Sequence, residues 1–252
     1  MDIKTNSKCL NLQINHLDMD KRISVNGLKI YPFTSENEML SFLDNEKPIL
    51  VAINSKKIKG ANEELRNIVN KNIGYVDGAG AQIALKHKGV KNPLKIPGCE
   101  LWLKIIKQFE NTKTFYLVGG KQEVIDAVVE KLYVDFPNIN LVGYRNGYLK
   151  TIDERQVLID DIALKKPDVV FVAMGSPTQE YLMQDMQKRH KAIYQGLGGS
   201  FDVYTGNVRR APRWFSEHNL EGIYRAFWEP RKRIMGVISD IGFLIKLKLG
   251  KY

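Results

Sequence analysis

One carboxylate, that of Asp77, lies at a position suited to acid–base chemistry. It follows the short apolar run IGYV and opens the segment DGAG. At the carboxyl end of a buried strand, this side chain would face a cleft and be ionised near neutral pH. There it could accept a proton from an attacking hydroxyl group, a role typically worth about 10²–10⁴ in rate. An aspartate in a turn can instead cap the next helix, and the residue types leave both interpretations open.

Polar or glycine-rich segments follow four other apolar runs. In chain order they are Asn54-Ser55, Gly119-Gly120, Gly175–Glu180 and Gly196–Asp202. Glycine lets a backbone approach a ligand closely, and the free N–H groups of a helix N-terminus bind phosphate or diphosphate. The chain has neither the GxxxxGK[ST] loop nor the GxGxxG fingerprint, which disfavours an ATP-type phosphate loop and a nicotinamide cofactor.

The segment Gly175–Glu180 also has a purely structural interpretation. Ser176 as N-cap, Pro177 as the first helical residue and Gln179 at the third position would form a capping box. Such a box satisfies helix N–H groups without any ligand. The sequence therefore leaves a ligand site and a helix cap as alternatives here.

Metal and thiol chemistry find little support in the sequence. Asp18-Met19-Asp20 resembles the DxD motif that holds a divalent metal, but it precedes every predicted strand of the sheet. The four histidines show no zinc-ligand spacing. Cys9 and Cys99 lie far apart, so we interpret both as free thiols in a reducing compartment. We predict no metal site and no cofactor.

The elements that position these residues alternate regularly along the chain. The apolar runs are Ile49–Asn54, Ile73–Val76, Thr114–Val118, Ile139–Tyr144, Val169–Met174 and Ala192–Gly196. Each is followed by a segment of helical length. This alternation predicts an α/β fold with a mostly parallel, Rossmann-like sheet and helices on both faces. Val25–Tyr31 predicts an extra strand or hairpin before it, and Thr34 a cap for a helix over 35–43.

The chain changes character after Gly206. Residues 207–252 hold ten basic and four acidic residues, in a chain whose net charge is +10. Such a patch suggests an anionic partner, although a solvated basic face would look the same. Pro230 is suited to begin a last helix that ends near Leu249. The apolar stripe of that helix consists of Ile234, Ile238, Ile241, Ile245 and Leu249.

A basic amphipathic helix of this kind can lie in a membrane interface or pack onto its own domain. We predict an α/β domain over 1–206 and a basic helical appendage over 207–252. The polar N-terminal residues do not form a signal peptide, and no apolar run reaches the length of a membrane span. These observations predict a cytoplasmic protein.

Several segments together resemble the WecG/TagA/CpsF family, glycosyltransferase family 26. The segments occur in the family's order over roughly residues 25–235. They are VAINSKKIKGA, YVDGAGAQIALKHKG, IPGCELW, FYLVGGKQEVIDAVVEKL, FPNINLVGYRNGYL, PDVVFVAMGSPTQEYLM and GLGGSFDVYTGNVRRAPRWFSEHNLEGIYRAFWEPRKR. The last of them is long and unusual in composition, which makes the resemblance specific.

The resemblance implies an inverting transfer from a UDP-sugar to an undecaprenyl-diphosphate-linked acceptor of the GlcNAc type. Relatives act in the synthesis of teichoic acid linkage units, enterobacterial common antigen, capsules and exopolysaccharides. The resemblance implies a peripheral enzyme on the inner face of the bacterial plasma membrane, and one that needs no metal. The expected partners are thus donor, acceptor and membrane surface, with no nucleic acid; a homo-oligomer is compatible with the family.

The resemblance also assigns roles to residues. The aspartate of the family's DG.G motif, its catalytic base, falls on Asp77. The residues implied in substrate binding are Asn54, Gly78, Gly80, Gly119, Gly175, Pro177, Gln179, Glu180, Gly198, Gly199, Phe201 and Asp202. The family's C-terminal appendage docks on the membrane and closes over the site, so Arg225, Arg231 and Arg233 become candidates for the acceptor diphosphate.

Two departures from the family pattern bear on specificity. Ala52 stands where many relatives have threonine, and Gly98-Cys99-Glu100-Leu101 replaces the common G-x-D-L. Two other hypotheses stay open from the residues. One is a nucleic-acid-binding module that uses the basic aromatic tail, and the other is a regulator that binds a nucleotide without catalysis.

Overall fold

The structure is a computed structural model that describes residues 21–209, 211–212, 214–215, 220–228, 230–250 and 252. At 222–223, 225–226 and 230–233 it describes the backbone alone. The Asp18-Met19-Asp20 motif and Cys9 lie outside the described residues.

An eight-stranded sheet forms the centre of the molecule. Its strands are β1 (Ile23–Val25), β2 (Leu28–Tyr31), β3 (Ile49–Ile53), β4 (Ile73–Val76), β5 (Thr114–Gly119), β6 (Asn140–Arg145), β7 (Val169–Ala173) and β8 (Ile193–Gly196). Their spatial order is β1-β2-β4-β3-β8-β7-β5-β6. Only β1 runs antiparallel, as half of a hairpin with β2. Asn26 and Gly27 both have positive φ in that hairpin, as a two-residue turn of this kind requires.

Helices connect the parallel strands, and further helices follow the last strand. They are α1 (Glu36–Asn45), α2 (Ser55–Gly60), α3 (Glu63–Lys71), α4 (Ala79–His87), α5 (Gly98–Phe109), α6 (Gln122–Asp135), α7 (Ile152–Lys165), α8 (Thr178–Arg189), α9 (Ser200–Tyr204), α10 (Glu221–Trp228) and α11 (Pro230–Lys248). The cap of α1 differs from the prediction: Ser35, not Thr34, accepts the hydrogen bond from the Glu38 N–H. Thr34 instead bonds the Glu38 carboxylate.

Two apolar layers cover the sheet, one on each face. In β7, Val170 and Val172 join one cluster, whereas Val169 and Phe171 join the other. One layer includes side chains from α2, α3, α7, α8 and α11, and the other includes side chains from α1, α5, α6 and α9. Consecutive strand residues point to opposite faces, so a strand that is apolar throughout must be covered twice. The predicted α/β architecture with helices on both faces is confirmed.

The last helix, α11, has two apolar faces. Phe243 and Leu247 are buried and belong to one of the core layers, and the helix contacts α2 and α4 there. The predicted stripe from Ile234 to Leu249 is more than half exposed at each of its five positions. Of the helices in the described part of the chain, none is long and apolar enough to cross a membrane.

Candidate active site

The carboxyl ends of the parallel strands bring most of the predicted residues to one edge of the sheet. Asn54 follows β3, Asp77 follows β4, Gly175 lies two residues after β7, and Gly198 lies two residues after β8. Ligands of open parallel sheets bind at this edge. Strands β4, β3, β8, β7 and β5 are neighbours in that order, so their ends span roughly 19 Å at about 4.8 Å per strand.

The Asp77 carboxylate is held by a helix that begins far along the chain. Its Oδ1 accepts a hydrogen bond of 2.6 Å from the N–H of Gly98, the first residue of α5. Helix α4, which follows Asp77 in sequence, has Gly78 as its N-cap and no side-chain cap bond. The hydrogen bond from Gly98 thus ties Asp77 to α5, a helix that begins twenty-one residues later in the chain. The side chain is half-buried at the sheet edge.

Gly78 and Gly80 let the starts of α2 and α4 pack together. A Cβ atom on Gly78 would lie 3.2 Å from the Asn54 Cβ, and one on Gly80 would lie 2.7 Å from the Ser55 Cβ. Asn54 caps α2 through its side-chain oxygen, which accepts from the Lys57 N–H at 3.1 Å. This bond directs the asparagine oxygen into the cap and leaves its NH₂ group outside it.

A cleft of about 630 Å³ lies over the ends of β5, β6 and β7. It is lined by Gly120, Lys121, Glu123, Val124, Gly147, Tyr148, Ala173, Met174, Asp202 and Asn207. Lys121 is also the N-cap of α6, so the free N–H groups of that helix begin at this cleft. The cleft reaches Asp202 but not Asp77, which lies toward the other side of the same edge.

Gly119 forms the floor next to this cleft. Its φ of 137° is in the region that favours glycine, and a Cβ atom there would collide with the backbone of Ala173 on β7. The N–H of Gly120 bonds the carbonyl oxygen of the same Ala173 at 3.3 Å. Glycine is needed here because β5 and β7 approach each other closely at their ends.

The segment Gly175–Glu180 does not form the capping box that the sequence suggested. Its Ser176–Pro177 peptide bond is cis, Pro177 is the N-cap of α8, and no side chain caps the helix. Gln179 and Glu180 instead turn inward, with exposures of 3% and 1%. The backbone takes this path because Gly175, with a φ of 77°, reverses it before the helix begins.

Gln179 and Glu180 belong to a buried polar chain that joins three strand ends. The Gln179 side-chain oxygen accepts from the Gly198 N–H at 2.9 Å, and its NH₂ group donates to the Glu180 carboxylate at 3.2 Å. The Lys57 ammonium lies 3.2 Å from the same carboxylate oxygen. Lys57 was not among the predicted residues, since its partner is remote in sequence.

The turn after β8 separates residues that were predicted together. Gly198 has a φ of 59° and Gly199 is exposed, whereas Asp202 lines the cleft. Phe201 is 1% exposed and packs edge-on against Trp102 at 5.6 Å between ring centroids. Phe201 thus supports the turn from the core, while the glycines and Asp202 face outward.

A second buried group lies under Asp77 and was also missed. The Gln195 NH₂ group donates to the Tyr75 hydroxyl and to the Gly98 carbonyl oxygen, each at 3.3 Å. Burial, and after it the charge of Asp77, raises the pKa of Tyr75 well above its usual value. The glutamine inside the apolar run AIYQG could have indicated this buried group, because polar side chains in central strands need hydrogen-bond partners.

The predicted arginines fall in the terminal helices. Arg225 belongs to α10, and Arg231 and Arg233 belong to α11, but their side chains lie outside the described residues. In the same part of the chain, Trp214, Phe227 and Trp228 are exposed aromatic side chains. Within the described part of the chain, no three histidine, cysteine, aspartate or glutamate side chains come close enough to hold a metal ion.

Comparison with protein families gives one match that covers nearly the whole chain. The model of the glycosyl transferase WecG/TagA/CpsF family matches residues 23–251, which includes the sheet, the strand-end segments and α11. This family comprises glycosyltransferases of cell-surface polysaccharide synthesis, which use a nucleotide-sugar donor and a glycan acceptor. With its strand-end site and this match together, the chain belongs to the WecG/TagA/CpsF family of glycosyltransferases.

Proposed function

We propose that this glycosyltransferase moves a sugar from a UDP-sugar to an undecaprenyl-diphosphate-linked acceptor of the GlcNAc type, with inversion and without a metal. The reaction would take place at the inner face of the bacterial plasma membrane. The observation that carries the proposal is Asp77, a half-buried carboxylate held at the strand ends by the Gly98 N–H. The family match supports a glycosyltransferase over a nucleic-acid-binding module or a regulator without catalysis.

The donor lies along the strand ends in this proposal. Its nucleotide occupies the cleft over β5–β7, where Asp202 and Glu123 can accept hydrogen bonds from ribose hydroxyl groups. Its diphosphate faces N–H groups at helix N-termini and the glycine turns at Gly198-Gly199, since such groups favour anions. The sugar then extends toward Asp77, across the ends of β8 and β3.

Inversion follows from a single in-line displacement. The acceptor oxygen forms a bond to the anomeric carbon as the bond from that carbon to the UDP oxygen breaks. Asp77 takes the proton of the acceptor hydroxyl, and UDP leaves with the bonding electron pair. The charge that develops on UDP is stabilised by oriented N–H groups and basic side chains, which act strongly where water is excluded.

The membrane part of the proposal rests on α11. Its exposed isoleucine stripe, together with the exposed Lys246 and Lys248, forms an apolar face with basic residues near one end. Each basic residue near an anionic surface contributes about 1 kcal/mol to attachment. Phe243 and Leu247 hold the opposite face against α2 and α4, so the stripe is presented outward.

Replacement of Asp77 tests the proposed base. Asp77→Asn should reduce transfer from a UDP-sugar to a synthetic prenyl-diphosphate GlcNAc by about 10²-fold or more, with UDP affinity retained. Transfer is followed by product chromatography over a panel of UDP-sugars, and UDP affinity by calorimetry. Asp153→Asn, an exposed aspartate in the first turn of α7, is the matched control. Unchanged turnover in Asp77→Asn would rule out the base.

A further inference from the structure

The ion pair of Lys57 and Glu180 is buried beneath the strand ends, where an ion pair needs a reason. Lys57 is 8% exposed and Glu180 1% exposed, with 3.2 Å between the ammonium nitrogen and Oε1. The loss of hydration in such a pair often exceeds the attraction that it gains, so an apolar pair would serve stability equally well.

Glu180 holds Gln179, and Gln179 holds the glycine turn after β8. The Glu180 Oε1 atom accepts from both Lys57 and the Gln179 NH₂ group, and the Gln179 oxygen accepts from the Gly198 N–H. Gly196 gives the Gln179 amide room, because any Cβ atom there would collide with it. Each of these groups is buried except the turn itself.

Among the described residues, no cation other than Lys57 is paired with Glu180. Its second oxygen, Oε2, is buried and has no hydrogen-bond partner there. Lys57 thus supplies the counter-charge to this carboxylate in the interior, where an unpaired charge is costly. The position of the Gln179 amide depends on this ion pair, because its NH₂ group donates to the same carboxylate oxygen.

We propose that Lys57 is a positioning residue for donor binding. Through Glu180 and Gln179 it fixes the Gly198-Gly199 turn, which the proposed function assigns to the donor diphosphate; the inference rests on that function. Asp77 is held by a separate set of contacts, to Gly98 on α5. Loss of the ion pair should therefore act on donor affinity more than on the chemical step.

The test uses UDP as the probe and four variants. Lys57→Met and Glu180→Gln each leave one buried charge without its partner, whereas the double variant leaves none. Each single variant should raise the UDP dissociation constant and the donor KM by about 10- to 100-fold, with a smaller change in kcat. The double variant should lose no more UDP affinity than either single variant, because both residues act through the same contact. Lys56→Met, on the exposed side of the same helix, is the matched control.

A merely structural ion pair would give a different result. Single variants with a lowered Tm but the donor KM and UDP affinity of the wild type would overturn the inference. So would a double variant whose loss equals the sum of the two single losses. If Lys57→Met does not fold, Lys57→Arg keeps the charge in altered geometry; it should show a raised donor KM at near-wild-type Tm, and a wild-type KM would contradict the inference.

The result is separable from the fate of the proposed function. If Asp77→Asn loses transfer but retains UDP affinity, the proposed function is supported, whatever the result for the Lys57 variants. Wild-type UDP affinity in Lys57→Met then overturns the positioning role alone. A wild-type protein that neither binds UDP nor transfers a sugar overturns both.

Discussion

Gly98 contacts the Asp77 carboxylate directly through its backbone. Its N–H holds the carboxylate, and its carbonyl oxygen accepts from Gln195. A Cβ atom on Gly98 would lie 3.0 Å from the Tyr75 hydroxyl and 3.4 Å from Asp77 Oδ1. Tyr75 is fully buried and bonded to Gln195, so it has little room to move away.

Gly98→Ala should therefore impair catalysis more than binding. We expect a fall of about tenfold or more in kcat at nearly unchanged UDP affinity, because the added methyl group displaces the carboxylate. The cost in unfolding free energy should be about 1–3 kcal/mol, as for other overpacked sites. Steady-state kinetics, calorimetry with UDP and urea unfolding measure these quantities.

The control for that substitution is Gly60→Ala, where a Cβ atom would meet nothing within 4 Å. It lies at the end of α2, where alanine suits a helix better than glycine. Gly60→Ala should keep full activity and leave stability equal or slightly increased. A Gly98→Ala enzyme with wild-type kcat would show that the Gly98 contact does not set the Asp77 geometry.

At the residue scale, the sequence supported the location of Asp77 but not the role of its neighbours. Strand-end logic predicted that Asp77 and the glycines share one edge of the sheet, because parallel strands end together. It could not show that Glu180 turns inward, because its counter-charge, Lys57, comes from a helix remote in the chain. The capping-box interpretation of Ser176 failed since Pro177 itself became the cap.

At the scale of elements, α11 shows how one helix serves two surfaces. The spacing of its isoleucines predicted an amphipathic stripe, but Phe243 and Leu247, one turn apart on another side, hold it to the domain. Asp240 adds polar contacts, with 2.7 Å to the Ser55 hydroxyl and 2.8 Å to the Lys59 ammonium. Hydrophobic spacing identifies apolar faces but cannot say which of two faces meets the protein.

Charge on the exposed stripe tests the proposed attachment. Ile241→Glu with Ile245→Glu should lower binding to anionic phospholipid vesicles by at least about tenfold. Burial of even one isoleucine is worth about 1.5–3 kcal/mol, and 1.4 kcal/mol corresponds to tenfold. Vesicle co-sedimentation measures the binding, and Tm should stay near that of the wild type.

An exposed isoleucine elsewhere provides the comparison. Ile152→Glu, at the start of α7 and 86% exposed, should leave vesicle binding unchanged. Substitution is preferable to deletion of 207–252, because deletion would uncover the core residues that Phe243 and Leu247 protect. Vesicle binding by the double glutamate variant at the wild-type level would contradict attachment through this stripe.

At the scale of the whole molecule, buried tyrosines link stability to alkaline pH. Burial is the largest cause that raises the pKa values of Tyr75, Tyr116, Tyr194 and Tyr204 above the usual value near 10. The folded state therefore keeps protons that the unfolded state releases. The stabilising contribution is complete below about pH 10 and is lost as pH rises above it.

Unfolding by denaturant across pH measures this linkage. The free energy of unfolding should fall above about pH 10, by up to about 1.4 kcal/mol per pH unit for each of the buried Tyr75, Tyr116 and Tyr194 and by less for the partly exposed Tyr204. Tyr194→Phe removes one of them, with its bond of 2.8 Å to the His190 carbonyl oxygen. In this variant the fall of the unfolding free energy with pH should correspond to about one proton fewer than in the wild type. An equal fall in both proteins would contradict the raised pKa of Tyr194. Data from pH 7 to 9 serve as the reference.

The overall architecture was predictable because strand and helix segments alternate, with apolar runs too continuous for a sheet with one wet face. The order of the strands was not. β8, last of the strands along the chain, lies in the middle of the sheet between β3 and β7. Only this insertion brings Gly198 beside Gln179 and Gln195 beside Tyr75, so the buried connections at the site depend on topology that local pattern does not encode.

The packing of α11 against α2 has a consequence for the size of the acceptor that the enzyme can use. Asp240 accepts a hydrogen bond from Ser55, the residue after Asn54 at the sheet edge where sugar transfer is proposed. If the α11 isoleucines rest on lipid as proposed, the reaction occurs about one helix diameter, roughly 10 Å, above the bilayer. A glycan of one or two units ends at that height, and a longer one extends beyond it. The enzyme would then select its acceptor by length, using a lipid-linked glycan of one or two sugar units and not a longer one.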